Sequence, residues 1–190
     1  MEHKHPAKSS EKFFDSDEIL SKLNFKGDET FMDAGCGDGH IAIRAIEEYL
    51  PDGTAYGVDI HDDSIEVLKE YENDNLIAIK GDLTKGIPGI DDATIDVVLM
   101  INVIHGFDES ENMNDVIDEL VRITKDDGKI AIVDFSPIDW PIGPPKEIKL
   151  SPNKLEEIFK GHGLEMHCLT DIGQEGPEGK SHYLKIFEKE

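Results

Sequence analysis

A glycine-rich segment preceded by an acid is the first feature of this sequence that could carry chemistry. It spans residues 33–39, reads DAGCGDG, and includes the end of a short apolar run at residues 30–34. Glycines at such a position let the backbone turn tightly and approach a ligand closely. Apolar residues at helical spacing follow, so a helix N-terminus would bring free N–H groups to the same place. The segment therefore predicts a loop that binds a small molecule through its backbone.

Two further acids follow the next two apolar runs of the chain. Asp59 ends the run at residues 54–59, where a carboxylate accepts hydrogen bonds from both ribose hydroxyls of a nucleoside. Asp82 follows the run at residues 76–80, where it could accept a hydrogen bond from an adenine amino group. Because parallel strands end at the same edge of a sheet, we expect Asp33, Asp59 and Asp82 to share one ligand-binding edge.

The spacing of the glycines distinguishes between possible nucleotide ligands. A dinucleotide fingerprint, G-x-G-x-x-G, would require glycine at position 40, and this chain has His40. Asp33 would repel a pyrophosphate, but it suits a ligand that carries an ammonium group. The sequence therefore favours S-adenosylmethionine, whose methionine moiety carries such a group, over NAD.

Histidines and cysteines are the remaining candidates for chemistry. His105 could be a general base, since an unperturbed pKa near ~6.5 suits proton removal at neutral pH, or a structural histidine. His3 and His5 form an H-x-H pair that could bind a metal or could belong to an ordinary tail. No ligand set is placed near the acids, so we expect no obligatory metal. Cys36 and Cys168 form no C-x-x-C pair and are expected to be reduced thiols.

The composition limits the class of partner. The chain has 190 residues, with 19 basic and 42 acidic side chains and a net charge of −23. Such a charge repels phosphate backbones and anionic membrane surfaces, so we expect neither nucleic acid nor a membrane as partner. No apolar stretch reaches the ~18 residues of a membrane span, and the first residues lack the apolar core of a secretory signal. We therefore predict a cytoplasmic protein.

The elements that must position these residues alternate between short apolar runs and helical patterns, which is typical of βαβ units. Strands are predicted at residues 30–34, 54–59, 76–80, 95–101, 129–135, 163–170 and 182–188, and the first helix at residues 15–23. Only a glycine-rich stretch, residues 171–181, separates the last two strands, which favours antiparallel neighbours. We predict an α/β fold with a doubly wound, seven-stranded, mostly parallel sheet and an antiparallel strand near its edge. Residues 1–12 are predicted to be a mobile tail, and residues 13–190 a single domain.

On the basis of the glycine-rich segment and the acids that follow it, the chain resembles the class I S-adenosylmethionine-dependent methyltransferases over about residues 25–190. Residues 31–39 (FMDAGCGDG) resemble motif I of that family, residues 55–60 (AYGVDI) motif II, and residues 81–83 (GDL) motif III. Residues 95–105 (IDVVLMINVIH) resemble motif IV in the variant of the ubiquinone and menaquinone biosynthesis C-methyltransferase-like group. The resemblance implies a Rossmann-like fold and S-adenosylmethionine as the cofactor.

The resemblance also implies candidate site residues. The positions that match the cofactor-binding residues of the family are Asp33, Gly35, Cys36, Gly37, Asp59, Ile60, Asp82, Leu83, Ile101 and Asn102. The first four would bind the methionine part, Asp59 the ribose, the next three the adenine, and the last two would lie beside the sulfonium. His105 matches the first of two histidines often found after motif IV, whereas Gly106 occupies the second position. His105 is therefore the candidate catalytic residue.

The activity implied by the resemblance is methyl transfer from S-adenosylmethionine to a small-molecule acceptor. The net charge and the lack of a basic cluster favour a neutral or cationic acceptor over a polyanion. Its pocket is expected over the ends of strands four and five, between residues 102–107, the proline-rich loop around Trp140, and Phe13 and Phe14. Two alternatives stay open: a non-catalytic S-adenosylmethionine-binding module, and another S-adenosylmethionine-using transferase, such as an aminopropyltransferase.

Overall fold

A computed structural model describes residues 13–71, 73–107 and 111–190. The mobile tail predicted over residues 1–12, with His3 and His5, lies outside the described residues. The strands are β1 (Thr30–Ala34), β2 (Thr54–Asp59), β3 (Leu76–Lys80), β4 (Ile95–Ile101), β5 (Thr124–Phe135), β6 (Leu164–Gly176) and β7 (Gly179–Lys189). The α-helices are α1 (Ser16–Leu20), α2 (His40–Glu48), α3 (Asp62–Glu70), α4 (Met113–Ile123) and α5 (Pro152–Lys160).

The strands form one sheet in the order β3-β2-β1-β4-β5-β7-β6. Neighbours among β1 to β5 are parallel, and β7 runs antiparallel to both β5 and β6. This confirms the predicted seven-stranded, mostly parallel sheet with an antiparallel strand near its edge. The strand order reverses between β1 and β4. Ligands of doubly wound sheets bind at such a point, outside the carboxyl ends of the strands.

Both faces of the sheet are covered, which explains the unbroken apolar run of β4 after Asp96. One core cluster packs α4 and α5 against one face, and a second packs α1 and α2 against the other. Met100 belongs to the first cluster, whereas its neighbours Leu99 and Ile101 belong to the second. Successive strand residues point to opposite faces, so a strand between two helical layers must be apolar at every position.

The boundaries of α1 and β5 differ from the sequence-based predictions. α1 ends at Leu20, one helical turn before residue 23. β5 begins at Thr124 and not at residue 129, because Thr124 already pairs with Ile95 of β4, ahead of a register shift between Ile95 and Val97. The shift interrupts the apolar alternation, so the sequence pattern marks only the later part of the strand.

The predicted end of the sixth strand at residue 170 and the predicted start of the seventh at residue 182 are both wrong. β6 continues to Gly176 and β7 starts at Gly179, so most of the stretch between these residues belongs to a long β-hairpin. The β6–β7 pairing shifts register between Ile172 and Glu175, and β6 is the edge strand, with exposed polar side chains. An exposed edge needs no apolar alternation, so no sequence pattern marks the continuation of β6 beyond residue 170.

Candidate functional site

The loop after β1 is shaped by its glycines and by its contacts with neighbouring segments. The backbone N–H groups of Gly35 and Cys36 both donate to the carbonyl oxygen of Val58, at 2.7 and 2.9 Å. Gly35 and Gly37 have φ values of +85° and +55°, a region that residues with a Cβ atom rarely adopt. A Cβ atom on Gly35 would lie 2.5 Å from Cγ2 of Val103. The glycines therefore let the loop lie directly against β2 and against the segment that follows β4.

This glycine loop ends where α2 begins. Gly39 is the N-cap residue, and a Cβ atom there would lie 2.4 Å from Cδ1 of Leu68 in α3. His40 is the first residue of α2, and its Nδ1 lies 2.7 Å from Oδ1 of Asp38. An imidazole–carboxylate pair therefore stands where a dinucleotide-binding loop presents bare backbone N–H groups to a pyrophosphate.

Asp59 ends β2 with its carboxylate oriented by backbone groups. Its Oδ2 accepts the N–H of Gly37, and its Oδ1 accepts the N–H of His61, both at 2.9 Å. Only 8% of the residue is exposed. Each carboxylate oxygen has a second lone pair, so Asp59 can accept two more hydrogen bonds from vicinal hydroxyls. This arrangement fits the ribose-binding role predicted from the sequence.

Asp33 is an acid enclosed near the end of β1, with 2% of its surface exposed. Burial, followed by the charges of Asp59 and Asp38, raises its pKa from 3.8 to about 8. Within the described part of the chain, no hydrogen bond to its carboxyl group offsets this burial. A ligand ammonium group would supply the missing positive charge, so Asp33 fits the amino group of a methionine moiety.

A cavity of about 210 Å³ opens beside the glycine loop. Residues at or just after the ends of four strands line it: Gly35, Val58, Asp59, Ile60, His61, Gly81, Asp82, Leu83, Val103 and Phe107. Ile60 is 53% exposed although it is apolar, whereas Leu83 is 7% exposed. Apolar walls with a few polar groups are typical of small-molecule sites, and here they suit a flat purine.

Asp82 already has partners within its own turn. Its Oδ1 accepts the N–H and the hydroxyl of Thr84, and its Oδ2 accepts a hydrogen bond from Nζ of Lys85 at 2.7 Å. These contacts, with Lys85 first, hold the pKa of Asp82 below its usual range. The Lys85 side chain is 78% exposed, so this ion pair contributes little and can give way to a ligand amino group.

β4 brings Ile101 and Asn102 to the point where the strand order reverses. Ile101 is buried, and the N–H of Asn102 donates to the carbonyl oxygen of Val133 at 2.9 Å. Asn102 has a φ of +57°, and its buried Oδ1 has no hydrogen-bond partner in the described ranges. Buried oxygen atoms normally accept a hydrogen bond, so a bound water or ligand is expected to donate one to Asn102 Oδ1.

His105 forms a hydrogen-bonded pair with a buried acid. Its Nδ1 lies 2.7 Å from Oδ1 of Asp134, and the same oxygen accepts the N–H of Phe135 at 2.7 Å. A carboxylate at Nδ1 holds a proton there and leaves Nε2 with a free lone pair. His105 lies in the chain between Val103 and Phe107, which line the cavity. It is therefore placed to act as a base on a molecule bound next to that cavity.

Two residues of this edge, Asp134 and His182, were not predicted from the sequence. Asp134 follows an apolar run, as Asp33 and Asp59 do, and that positional signal could have found it. His182 pairs with Phe135, because the antiparallel β7 starts at the edge where β5 ends. No periodicity in the sequence shows which edge the first residues of a strand will reach.

The aromatic residues predicted to line the acceptor pocket occupy two different places. Phe13 and Phe14 are buried, with ring centroids 5.0 and 5.2 Å from that of His182. Trp140 is half-buried against the β6–β7 hairpin, where a Cβ atom on Gly176 would lie 2.4 Å from its ring. The two phenylalanines therefore lie near His105 and its neighbours, whereas Trp140 fixes the proline-rich loop to the hairpin.

The thiol groups of the two cysteines have no role in this arrangement. Burial raises the pKa of the Cys36 thiol, which makes it inert as a nucleophile. Cys168 is half-buried on β6, with its Sγ 3.4 Å from Oγ1 of Thr170.

Across residues 13–71, 73–107 and 111–190, no three His, Cys, Asp or Glu side chains are grouped to hold a metal ion. No helix over the same ranges has the length and apolarity needed to cross a membrane.

Known proteins resemble this chain in sequence. The family described as "Methyltransferase domain" matches residues 25–190. A demethylmenaquinone methyltransferase from Lactobacillus johnsonii is 27% identical over 142 residues, or 71% of this chain and 57% of that protein. The chain thus spans little more than half the length of this curated relative.

Solved structures show the same fold. An S-adenosylmethionine-dependent methyltransferase from Aquifex aeolicus has a TM-score of 0.79 at 21% identity, covering 93% of this chain and 90% of that one. A putative type 11 methyltransferase from Sulfolobus solfataricus has a TM-score of 0.73 at 24% identity, covering 94% of both chains. Together, the family match and the shared fold show that the chain belongs to the methyltransferase-domain family and has the fold of the S-adenosylmethionine-dependent methyltransferases.

Proposed function

We propose that this methyltransferase acts on a small-molecule acceptor and that His105 removes a proton from that acceptor. The observation that carries the proposal is the 2.7 Å contact between His105 and the buried Asp134, next to the cavity. A carboxylate on Nδ1 orients the imidazole and stabilises the imidazolium that forms when Nε2 takes a proton. A module that only binds the cofactor would have no use for such a pair.

Residues 13–190 would act as one catalytic domain that binds both molecules. When bound, S-adenosylmethionine supplies a methyl group activated by its sulfonium. The residues proposed to hold it are Asp33, Gly35, Cys36, Gly37, Asp59, Ile60, Asp82, Leu83, Ile101 and Asn102. The protein's own task is to hold the accepting atom and the methyl carbon roughly 3–3.5 Å apart and to exclude water.

Charge and the curated relative both favour a small acceptor. The excess of 42 acidic over 19 basic side chains opposes a nucleic acid. The relative from Lactobacillus johnsonii is named for demethylmenaquinone, which makes a quinone-derived acceptor the first to test. In the reduced form of such a ring, removal of a hydroxyl proton would make a neighbouring ring carbon nucleophilic. His105 would remove that proton as a general base.

Transfer of a labelled methyl group to two acceptor preparations tests the proposal. One is demethylmenaquinol, and the other is the small-molecule filtrate of a cell lysate. His105→Ala is expected to lower turnover by ~10²–10⁴-fold while the affinity for the cofactor stays nearly unchanged. A merely structural His105 would instead lower the melting temperature, and activity would follow the folded fraction.

The chain offers a matched control for this variant. His162 also pairs with an acid, since its Nδ1 lies 2.7 Å from Oδ1 of Asp118, but it follows α5 and faces α4. His162→Ala therefore removes the same kind of contact away from the cavity and is expected to keep parental turnover. Equal losses in His105→Ala and His162→Ala, or label found only in RNA, DNA or protein, would contradict the proposal.

A further inference from the structure

Unpartnered buried atoms are concentrated at the edge that holds His105. In the part of the chain that the structure describes, four buried side-chain atoms lack a hydrogen-bond partner. Three lie at the ends of β4 and β5 and near the start of β7: Asn102 Oδ1, Asp134 Oδ2 and His182 Nε2; the fourth, Ser64 Oγ, lies in α3. Folded proteins seldom leave such atoms unsatisfied, so this edge is incomplete without a ligand or water.

His182 lies within a group of aromatic side chains and is fully buried. Its ring centroid is 4.3 Å from that of Phe135, and Phe13 and Phe14 cover it at 5.0 and 5.2 Å. His105 contacts the same Phe135 ring, with centroids 5.7 Å apart. The candidate base and His182 therefore share one aromatic neighbour.

The hydrogen bonds of Ser181 assign the proton on His182. The Oγ of Ser181 accepts the N–H of Gln174 at 3.1 Å and lies 2.8 Å from Nδ1 of His182. Of these two partners, only Nδ1 can accept the hydroxyl proton of the buried serine. A neutral imidazole whose Nδ1 accepts a hydrogen bond carries its proton on Nε2. The unpartnered Nε2 of His182 is therefore an N–H donor that lacks an acceptor.

Positive charge close to His182 indicates what this donor would bind. Burial, followed by the charges of Lys149 and His105, lowers the pKa of His182 to about 3, so its ring stays neutral. Nζ of Lys149 donates to the carbonyl oxygen of Ile138 at 2.7 Å and lies 5.8 Å from the centre of the Phe135 ring. A neutral N–H donor near a buried ammonium group is complementary to an oxygen atom that carries negative charge.

We infer that Nε2–H of His182 donates a hydrogen bond to an oxygen atom of the acceptor and so positions the acceptor for His105. The inference rests on the proposed function and names the acceptor class: a molecule with a carbonyl or an ionised hydroxyl oxygen close to the atom that is methylated. An acceptor without that oxygen would leave the buried donor unpaired, so His182 determines specificity. Phe13 and Phe14 cover the ring, and they must move aside when the oxygen binds.

Nitrogen NMR of the parent protein with ¹⁵N-labelled histidine tests the inference without turnover. His182 is expected to be neutral with its proton on Nε2, and its signals are identified by their loss in His182→Asn. With S-adenosylhomocysteine present, 1-naphthol or demethylmenaquinol is expected to shift the Nε2 proton downfield. Naphthalene, which has no oxygen, should leave it in place. A proton on Nδ1, or no shift with either oxygen-bearing probe, would overturn the inference.

Two isosteric amide variants separate this role from a structural one. Glutamine places its amide nitrogen near the position of Nε2, whereas asparagine places its amide nitrogen near that of Nδ1. With demethylmenaquinol, His182→Asn is expected to lower kcat/KM by roughly 10²-fold, and His182→Gln is expected to restore most of it. Cofactor affinity should be unchanged in both, because His182 lies outside the cofactor cavity.

The outcomes distinguish the inference from the proposed function on which it rests. Equal kcat/KM values for His182→Asn and His182→Gln, beside an active parent, would refute the donor role and leave the role of His105 intact. A downfield shift of the Nε2 proton in a protein that transfers no methyl group would support the donor role and contradict the proposed function.

Discussion

Replacing Asp33 with asparagine is expected to change how the affinity for S-adenosylmethionine depends on pH. Burial and the charges of Asp59 and Asp38 raise the pKa of Asp33 from 3.8 to about 8 in the cofactor-free protein. The carboxyl group therefore holds its proton at about pH 6.5. A ligand ammonium group favours the ionised form, so binding should release that proton. Asparagine preserves the shape of the side chain but has no proton to release.

The size of the effect follows from this pKa. At about pH 6.5 the carboxyl group is roughly 1.5 units below its pKa, so ionising it costs about 2 kcal/mol of the binding free energy. The cost shrinks as the pH rises, and the Kd of the parent should fall by up to about tenfold per unit between about pH 5.5 and 7. The ligand amino group stays charged in this range, because α-amino pKa values are about 7.7–8.0.

The same shift affects the stability of the cofactor-free protein. The unfolded chain loses this proton near pH 4, whereas the folded protein loses it only near pH 8, so the folded form binds more protons in between. The contribution of Asp33 therefore lowers the free energy of unfolding as the pH rises through this range. Asp33→Asn removes that contribution, so at neutral pH this variant should melt at a higher temperature than the parent.

Calorimetry in buffers of different ionisation enthalpy measures the proton release directly. At about pH 6.5 the parent should release close to one proton per cofactor bound, and Asp33→Asn close to none. Asp63→Asn, which changes an exposed acid on α3, is the control and should behave as the parent does. Equal proton release by Asp33→Asn and the parent, or a parental Kd that does not vary with pH, would refute the reasoning.

Further expectations concern the glycine loop and its selectivity. Asp59→Ala should weaken S-adenosylmethionine binding by roughly 1.5–3 kcal/mol, because a charged acceptor of the ribose hydroxyls is lost, and parental affinity in calorimetry would disprove that role. Gly35→Ala should lower both the melting temperature and the affinity, since its Cβ would lie 2.5 Å from Val103 at a φ of +85°. Unchanged values of both would contradict the assigned loop geometry. NADH should bind far more weakly than S-adenosylmethionine, because Asp33 and the missing glycine at position 40 oppose a pyrophosphate, and equal affinity in a fluorescence titration would show that the motif assignment is wrong.

Most of the parallel part of the sheet was predictable, because β1, β2 and β4 are largely buried and β3 keeps an apolar run although it is an edge strand. β1, β2, β3 and β4 begin and end at the predicted residues. Their apolar or β-branched runs stop at glycine, acid or asparagine residues, so the ends are visible in the sequence. The outer hairpin lacks this signal, since β6 is an exposed edge strand and its pairing with β7 shifts register after Ile172.

The candidate site was predictable to the extent that strand ends determine it. Acids that follow parallel strands must share one edge, which places Asp33, Asp59 and Asp82 together. The partner of His105 depends instead on the 3₁₀ turn at Ile104–Gly106, which directs the imidazole toward β5. Neither that turn nor the arrival of His182 at the same edge leaves a periodic pattern in the sequence.

A crystal structure with S-adenosylhomocysteine would test the central claim most directly. We expect the ribose hydroxyls within hydrogen-bond distance of Asp59, the amino group beside Asp33, and the thioether sulfur on the side of the cavity that faces His105. A ligand bound elsewhere, or bound with its ribose away from Asp59 and its amino group away from Asp33, would contradict it.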